Sequence, residues 1–252
     1  MNRPFFLSVV MPAYNEQEHI EAVIQEHIDV VARLRDSLDD WEIVCLDDGS
    51  QDRTAEIVRR LSEHIKKVRL VVHNENMGIH QSLVDLYLNA RGTHIYFTGS
   101  DGEWPAENLI KMLPALEAGA DLVIGVRQNR SEIYNLRRRL ISYGFNLLTR
   151  LLFGLATRDA GSIKLGVREV FTGEVISRSP FSEAERIIRA HRRGYRVDFV
   201  PIQFLHRAHG KGKGATWRNV FGSIRDCLRV FAQINVQETP KSAITLPARN
   251  RS

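Results

Sequence analysis

The sequence predicts an α/β protein: a mostly parallel sheet with helices on both faces. Three observations predict it. Short apolar runs rich in β-branched residues alternate with stretches whose apolar residues recur at helical spacing. Three of those runs end in loops carrying acids: Glu16, then Asp47 and Asp48, then Asp101 and Glu103. Parallel strands bring such ends to one edge of the sheet, where open α/β folds hold their ligands. The length of 252 residues suits one large domain, and 43% hydrophobic residues can fill its core.

The elements follow in order. Leu7 to Met11 is a short β-rich run, and Pro12 to Glu16 is a loop. Glu18 to Leu34 carries helical spacing at Ile20, Val23, Ile24, Ile28, Val31 and Leu34. Trp41 to Leu46 is a second strand ending in Asp47-Asp48-Gly49-Ser50. Thr54 to Ile65 is a helix with Asp52 as its cap. Val68 to Val72 is a strand, Asn76-Met77-Gly78 a turn, and His80 to Ala90 a helix. Ile95 to Phe97 is the fourth strand and runs into Gly99, Asp101, Gly102, Glu103, Trp104 and Pro105. Glu107 to Ala118 is a helix, and Asp121 to Val126 a fifth strand. No repeat, low-complexity tract or interdomain linker interrupts this order.

In extended backbone, residues two apart point the same way. Asp101 and Glu103 can then converge on a hard divalent cation such as Mg²⁺. The competing reading is a polar turn before a helix that carries Pro105 in its first turn.

Two later stretches are amphipathic. The first carries Leu136, Leu140, Ile141, Leu147, Leu148, Leu151, Leu152 and Leu155. The second carries Trp217, Val220, Phe221, Ile224, Leu228 and Phe231, with Arg218, Arg225 and Arg229 off the stripe. A basic helix of this kind lies in a membrane interface or faces a core, and both readings stand. No apolar run reaches the ~18 to 20 residues of a membrane span. Met1 to Phe6 lead straight into a strand, so no signal peptide is expected. The expected location is the cytoplasm, with peripheral attachment at the cytoplasmic membrane face.

The net charge of +5 suggests a polyanionic partner: nucleic acid, an anionic membrane surface or a phosphorylated ligand. Nine basic residues from Arg127 to Arg168 face only Glu132 and Asp159 in sequence. Aromatics do not interleave with them as in a stacking platform, which argues against nucleic acid. Cys45 and Cys227 lie far apart, and Cys45 sits in an apolar strand, so thiols are expected rather than a disulfide.

SVVMPAYNEQEHI, EIVCLDDGSQDRTAEIV, NMG and the acidic loop together resemble a family 2 glycosyltransferase with the glycosyltransferase A fold. RRRLISYGFNLLTRLLFGLATRD and RAHRRGYRVDFVPIQF are similar to dolichol-phosphate mannose synthases and bacterial polyprenyl-phosphate relatives. The likeness runs from Leu7 to Lys213. It implies inverting transfer of a hexose from a nucleotide-diphosphate sugar, of the GDP-mannose or UDP-glucose type, to a polyprenyl phosphate. Mg²⁺ or Mn²⁺ is the implied cofactor. It also implies a catalytic domain over 1–215, an amphipathic helix over 216–236 and a disordered tail over 237–252.

Carried over by position, Pro12, Tyr14 and Glu16 line the base and ribose pocket, and Asp48 accepts from the base with Asp47 beside it. A tyrosine face can stack on a base, and a carboxylate can read its N–H edge. Asp101 and Glu103 hold the metal. Arg127, Arg138, Ser142 and Arg207 hold the lipid phosphate, joined by Lys213 from a glycine-rich loop. Asp101, Arg127 and Arg138 are the implied catalytic residues. Two departures stand out. The usual Asp-Ala-Asp-x-Gln reads Gly99-Ser100-Asp101-Gly102-Glu103, and the usual Lys-Gly after the turn glycine reads Ile79-His80. They leave two alternatives: transfer to a hydroxyl with Glu103 or Asp159 as base, and a non-catalytic nucleotide-sugar binder. Glu185 and Asp159 match recurrent acids with no step assigned.

Overall fold

The apolar run near the amino end forms β1 (Phe5–Ala13), which pairs in parallel with β2 (Leu38–Asp47) on one side and β4 (His94–Phe97) on the other. β3 (Val68–Val72) extends the sheet beyond β2, again in parallel. The structure is a computed structural model that describes residues 4–128, 136–205 and 217–237, without the side chains of 136–140, 217–218 and 235–237.

The seven strands among the described residues run in the order β3-β2-β1-β4-β6-β5-β7, with β5 at Leu122–Arg127, β6 at Lys164–Val167 and β7 at Val197–Ile202. Only β6 is antiparallel to its neighbours, β4 and β5. The mostly parallel sheet expected from the sequence therefore forms, with one reversed strand wedged into it. β6 escapes sequence reading because a lysine and a glycine interrupt its short apolar run. Lys164 is nonetheless only 1% exposed.

Alternation along the strands builds a core on each face. Val9, Ile43, Cys45, Tyr96 and Val123 face α1 (Ile20–Arg33), α2 (Thr54–His64) and α4 (Asn108–Glu117). Val10, Val44, Leu46, Ile95 and Ile124 face α3 (Ile79–Asn89), α6 (Arg168–Thr172) and α7 (Ser182–Arg192). Asp52 accepts the N–H of Thr54 at 2.9 Å, so it serves the start of α2 as expected.

A third cluster joins α5 (Leu136–Phe153), α7 and α8 (Trp217–Gln237) through Phe153, Phe181, Ile188, Cys227, Val230 and Ile234. Sequence reasoning left the facing of the α8 stripe open between a core and an interface. The stripe of Phe221, Ile224 and Leu228 is exposed, at 66%, 39% and 52%. The face beside it, Cys227-Val230-Ile234, packs inward instead. Both thiols are free and buried. Among the described residues no helix is long and apolar enough to cross a membrane.

Candidate functional site

Three loops at the carboxyl ends of β1, β2 and β4 are stitched together. The N–H of Asn15 donates to Ser50 Oγ at 2.9 Å, and the N–H of Gln51 donates back to Asn15 Oδ1 at 2.8 Å. Glu16 N–H donates to Thr54 Oγ1 at 2.8 Å. Ser100 Oγ donates to the Pro12 carbonyl at 2.7 Å, tying in the third loop. The result is a cleft of about 730 Å³ whose lining includes Pro12, Tyr14, Glu16, Asp48 and Asp101. Of the five acids placed on one rim by sequence reasoning, Glu16, Asp48 and Asp101 share this hollow.

Their roles inside it differ. Asp48 is buried and engaged: it accepts from the N–H groups of Met77 and Gly78, each at 2.9 Å, and from His73 Nδ1 at 2.8 Å. It anchors the turn that opens α3, rather than presenting free oxygens to a base. His73 Nε2 lies 3.1 Å from Asp85 on α3, which fixes the ring from behind. Asp47 is 1% exposed, accepts from Ser50 N–H at 3.0 Å and does not line the cleft. Its expected place beside the nucleotide is corrected: the side chain goes into the protein, alternating with Asp48 along the strand end.

The acidic loop also departs from expectation. Gly102 has φ +71, so the chain turns where an extended path was assumed. Glu103 N–H donates to Asp101 Oδ1 at 3.2 Å, an Asx-type turn, and Glu103 is not among the cleft-lining residues. Asp101 lines the cleft; convergence of the two carboxylates through extended backbone is lost. A Cβ on Gly99 would stand 3.0 Å from both Asp101 Oδ1 and the Trp104 ring. A side chain at this position would crowd both groups. Among the described residues no three His, Cys, Asp or Glu side chains gather as a metal cage.

Arg127 lines neither the cleft nor the groove described next. Its guanidinium grips Asp159 and lies over the Trp104 and Phe204 rings, 5.3 and 5.1 Å from their centroids. Its expected phosphate contact is therefore corrected to a buried ion pair. Ser142 lines a groove of about 560 Å³ between α5 and α8. Ile141, Phe145, Leu148, Phe181, Val220 and Ile224 make that groove apolar. Thr157, Arg158, Asp159 and Asn219 give it polar groups as well. Among the described residues the buried Thr157 hydroxyl has no hydrogen-bond partner. Gly161, Pro180 and Asn219 line both the groove and the cleft, so the two adjoin. The side chains of Arg138, Arg207 and Lys213 lie outside the described residues.

Sequence reasoning missed Glu183, Arg178 and Lys164. Glu183 lines the cleft and accepts from Lys164 Nζ at 2.9 Å, Arg186 Nε at 3.3 Å and the Tyr87 hydroxyl at 3.1 Å. Burial alone would raise its pKa, but the Lys164 and Arg186 charges hold it at about 2. Lys164 also sits 4.9 Å from the centroid of Phe97, a cleft-lining ring. A lysine inside an apolar strand was the one signal that could have found this group.

A family model described as glycosyl transferase family 2 matches residues 8–173. The undecaprenyl-phosphate 4-deoxy-4-formamido-L-arabinose transferase of Edwardsiella ictaluri (strain 93-146) is 30% identical over 214 residues, 82% of this chain and 62% of that protein. The Salmonella choleraesuis (strain SC-B67) transferase of the same name is 29% identical over 231 residues, 88% of this chain and 67% of that protein. The chain spans less than two thirds of the first of these relatives. Among solved structures, mannosyl-3-phosphoglycerate synthase from Rubrobacter xylanophilus aligns with TM-score 0.69 at 19% identity, covering 96% of this chain and 79% of that one. Glucosyl-3-phosphoglycerate synthase from Mycobacterium tuberculosis, solved with Mn²⁺, UDP-glucose and phosphoglyceric acid, aligns with TM-score 0.64 at 17% identity, covering 90% and 80%. At such identities the likeness establishes the fold.

Proposed function

The chain belongs to glycosyl transferase family 2, and on that footing we propose that it moves a hexose from a nucleotide-diphosphate sugar to a polyprenyl phosphate, with inversion. The observation that carries the acceptor is the apolar groove between α5 and α8 adjoining the polar cleft at Gly161, Pro180 and Asn219. A prenyl chain suits such a groove, and its phosphate would meet Ser142, Thr157 and Arg158. The relatives named for undecaprenyl phosphate support this acceptor class.

In this reading Tyr14 stacks on the base, and Pro12 and Glu16 border the ribose. An oxygen of the lipid phosphate attacks the anomeric carbon as the bond to the nucleoside diphosphate breaks. A phosphate monoester loses its second proton near pH ~6, so it needs orientation more than a general base. That suits a cleft whose acids are largely spent on structure. Asp101 fits a divalent cation that draws most of its oxygens from diphosphate and water. Mg²⁺ or Mn²⁺, when bound, supplies positive charge to the leaving group. The exposed Tyr143, Leu147 and Leu151 of α5 and Phe221, Ile224 and Leu228 of α8 would rest on a bilayer surface, giving peripheral attachment.

The test is a transfer assay with labelled GDP- and UDP-sugars, with and without chelator. Each donor is offered polyprenyl phosphate or water-soluble acceptors. Label in the organic phase is the expected result. Label confined to soluble product would favour a hydroxyl acceptor, and binding without turnover would favour a non-catalytic binder.

A further inference from the structure

We infer that Arg178 forms the subsite for the donor's diphosphate. This rests on the nucleotide-sugar reading above and names the group that neutralises the leaving anion.

A diphosphate enters this cleft past four carboxylates: Glu16, Asp48, Asp101 and Glu183. Asp48 is compensated by two backbone N–H groups and His73. Glu183 is compensated by Lys164 and Arg186. Among the described residues lining the cleft, Arg178 is the sole arginine or lysine. Ile79, which lines the cleft at the start of α3, brings no charge. His80 adds little positive charge: burial lowers its pKa, and nearby Arg186 and Arg178 lower it further against the pull of Glu183.

The backbone that presents Arg178 is held from two sides. Glu185, fully buried, accepts the N–H groups of Ile176 at 3.0 Å and Ser177 at 2.9 Å. Asp226, reaching over from α8, accepts those of Arg178 and Ser179, each at 3.1 Å. Two buried carboxylates thus fix a segment whose arginine side chain stays exposed at the cleft wall. That arrangement fixes the backbone of Arg178 at the cleft wall, from which a guanidinium can pair with phosphate through two parallel hydrogen bonds. It also gives Glu185 a positioning role.

Arg178 lines the cleft and not the groove, so the donor's phosphates are its ligand rather than the lipid's.

The test measures binding of UDP, GDP, UMP and GMP to the intact wild-type protein, Arg178→Gln and Arg178→Lys, by calorimetry. Far-UV circular dichroism checks the fold of each variant. Expected is a loss of about tenfold or more in affinity for the preferred diphosphate in Arg178→Gln, a smaller loss in Arg178→Lys, and little change for the monophosphate. Unchanged preference for diphosphate over monophosphate in Arg178→Gln would overturn the assignment. So would unchanged diphosphate binding with a raised KM for polyprenyl phosphate, which would move Arg178 to the acceptor. A wild-type protein that binds neither diphosphate would remove the donor reading, and the subsite with it.

Discussion

Arg127 donates to the Asp159 carboxylate from Nε at 2.9 Å and from a terminal guanidinium nitrogen at 2.5 Å, and its own backbone N–H reaches the same group at 3.2 Å. The two side chains are 11% and 3% exposed. Removing one partner of a buried pair strands the other charge. Asp159→Asn should therefore cost roughly 3 kcal/mol, a fall of about 6 to 12 °C in Tm. Thermal unfolding checks it. A variant as stable as wild type would return Arg127 to the list of phosphate ligands.

Gly161 sits where cleft and groove join, and a Cβ built there meets nothing within 4 Å. Its φ is not in the left-handed region, so a side chain costs little backbone strain. Gly161→Leu should fold normally, bind nucleotide as before and lose at least about 90% of transfer to polyprenyl phosphate, by blocking the junction. Transfer at the wild-type rate would separate the two cavities functionally.

Restoring the family's missing acid should not restore a metal site. Gly99→Asp must displace the Asp101 carboxylate and the Trp104 ring, and Trp104 packs on both Phe204 and Arg127. We expect a destabilisation of about 1 to 3 kcal/mol and no gain in Mn²⁺ affinity. Denaturant titration and calorimetry with Mn²⁺ measure both. Tighter metal binding in a stable variant would show that the loop rearranges freely.

The Glu183 carboxyl is held at about 2 against an ordinary 4.5. The unfolded state therefore binds the extra proton as the medium is acidified. The contribution of this group is complete above about pH 4.5 and fades as pH falls towards 2; it amounts to about 3 kcal/mol. Glu183→Gln should flatten the stability profile across that window. It should also lower stability at neutral pH, because Lys164 keeps its burial and its bond to the Ser162 carbonyl but loses its carboxylate partner. Chemical denaturation at stepped pH is the measurement, and parallel slopes in the two proteins would refute the assignment.

Phe221 and Leu228 lie on the outward face of α8, 66% and 52% exposed. Changing both to Ser should leave stability within about 1 kcal/mol. Binding to anionic vesicles should weaken about tenfold or more, since each side chain would otherwise bury apolar area in the interface. Vesicle sedimentation decides it; undiminished binding would move the contact elsewhere.

By itself the sequence determined β1 through β5, α1 through α4 and the shared edge for Glu16, Asp48 and Asp101. Those follow from periodicity and from strand ends, which are properties of neighbouring residues. Tertiary structure alone decided which acids face the cleft, what Arg127 grips, which side of α8 turns outward and that Lys164 is buried in β6. Each of those depends on a partner far away in the chain: Asp159 for Arg127, Glu183 for Lys164, Phe181 and Ile188 for the inner face of α8. A charge or an apolar stripe states what a residue requires of its surroundings. Only the folded chain, by bringing distant groups within hydrogen-bonding or van der Waals range, settles how that requirement is met.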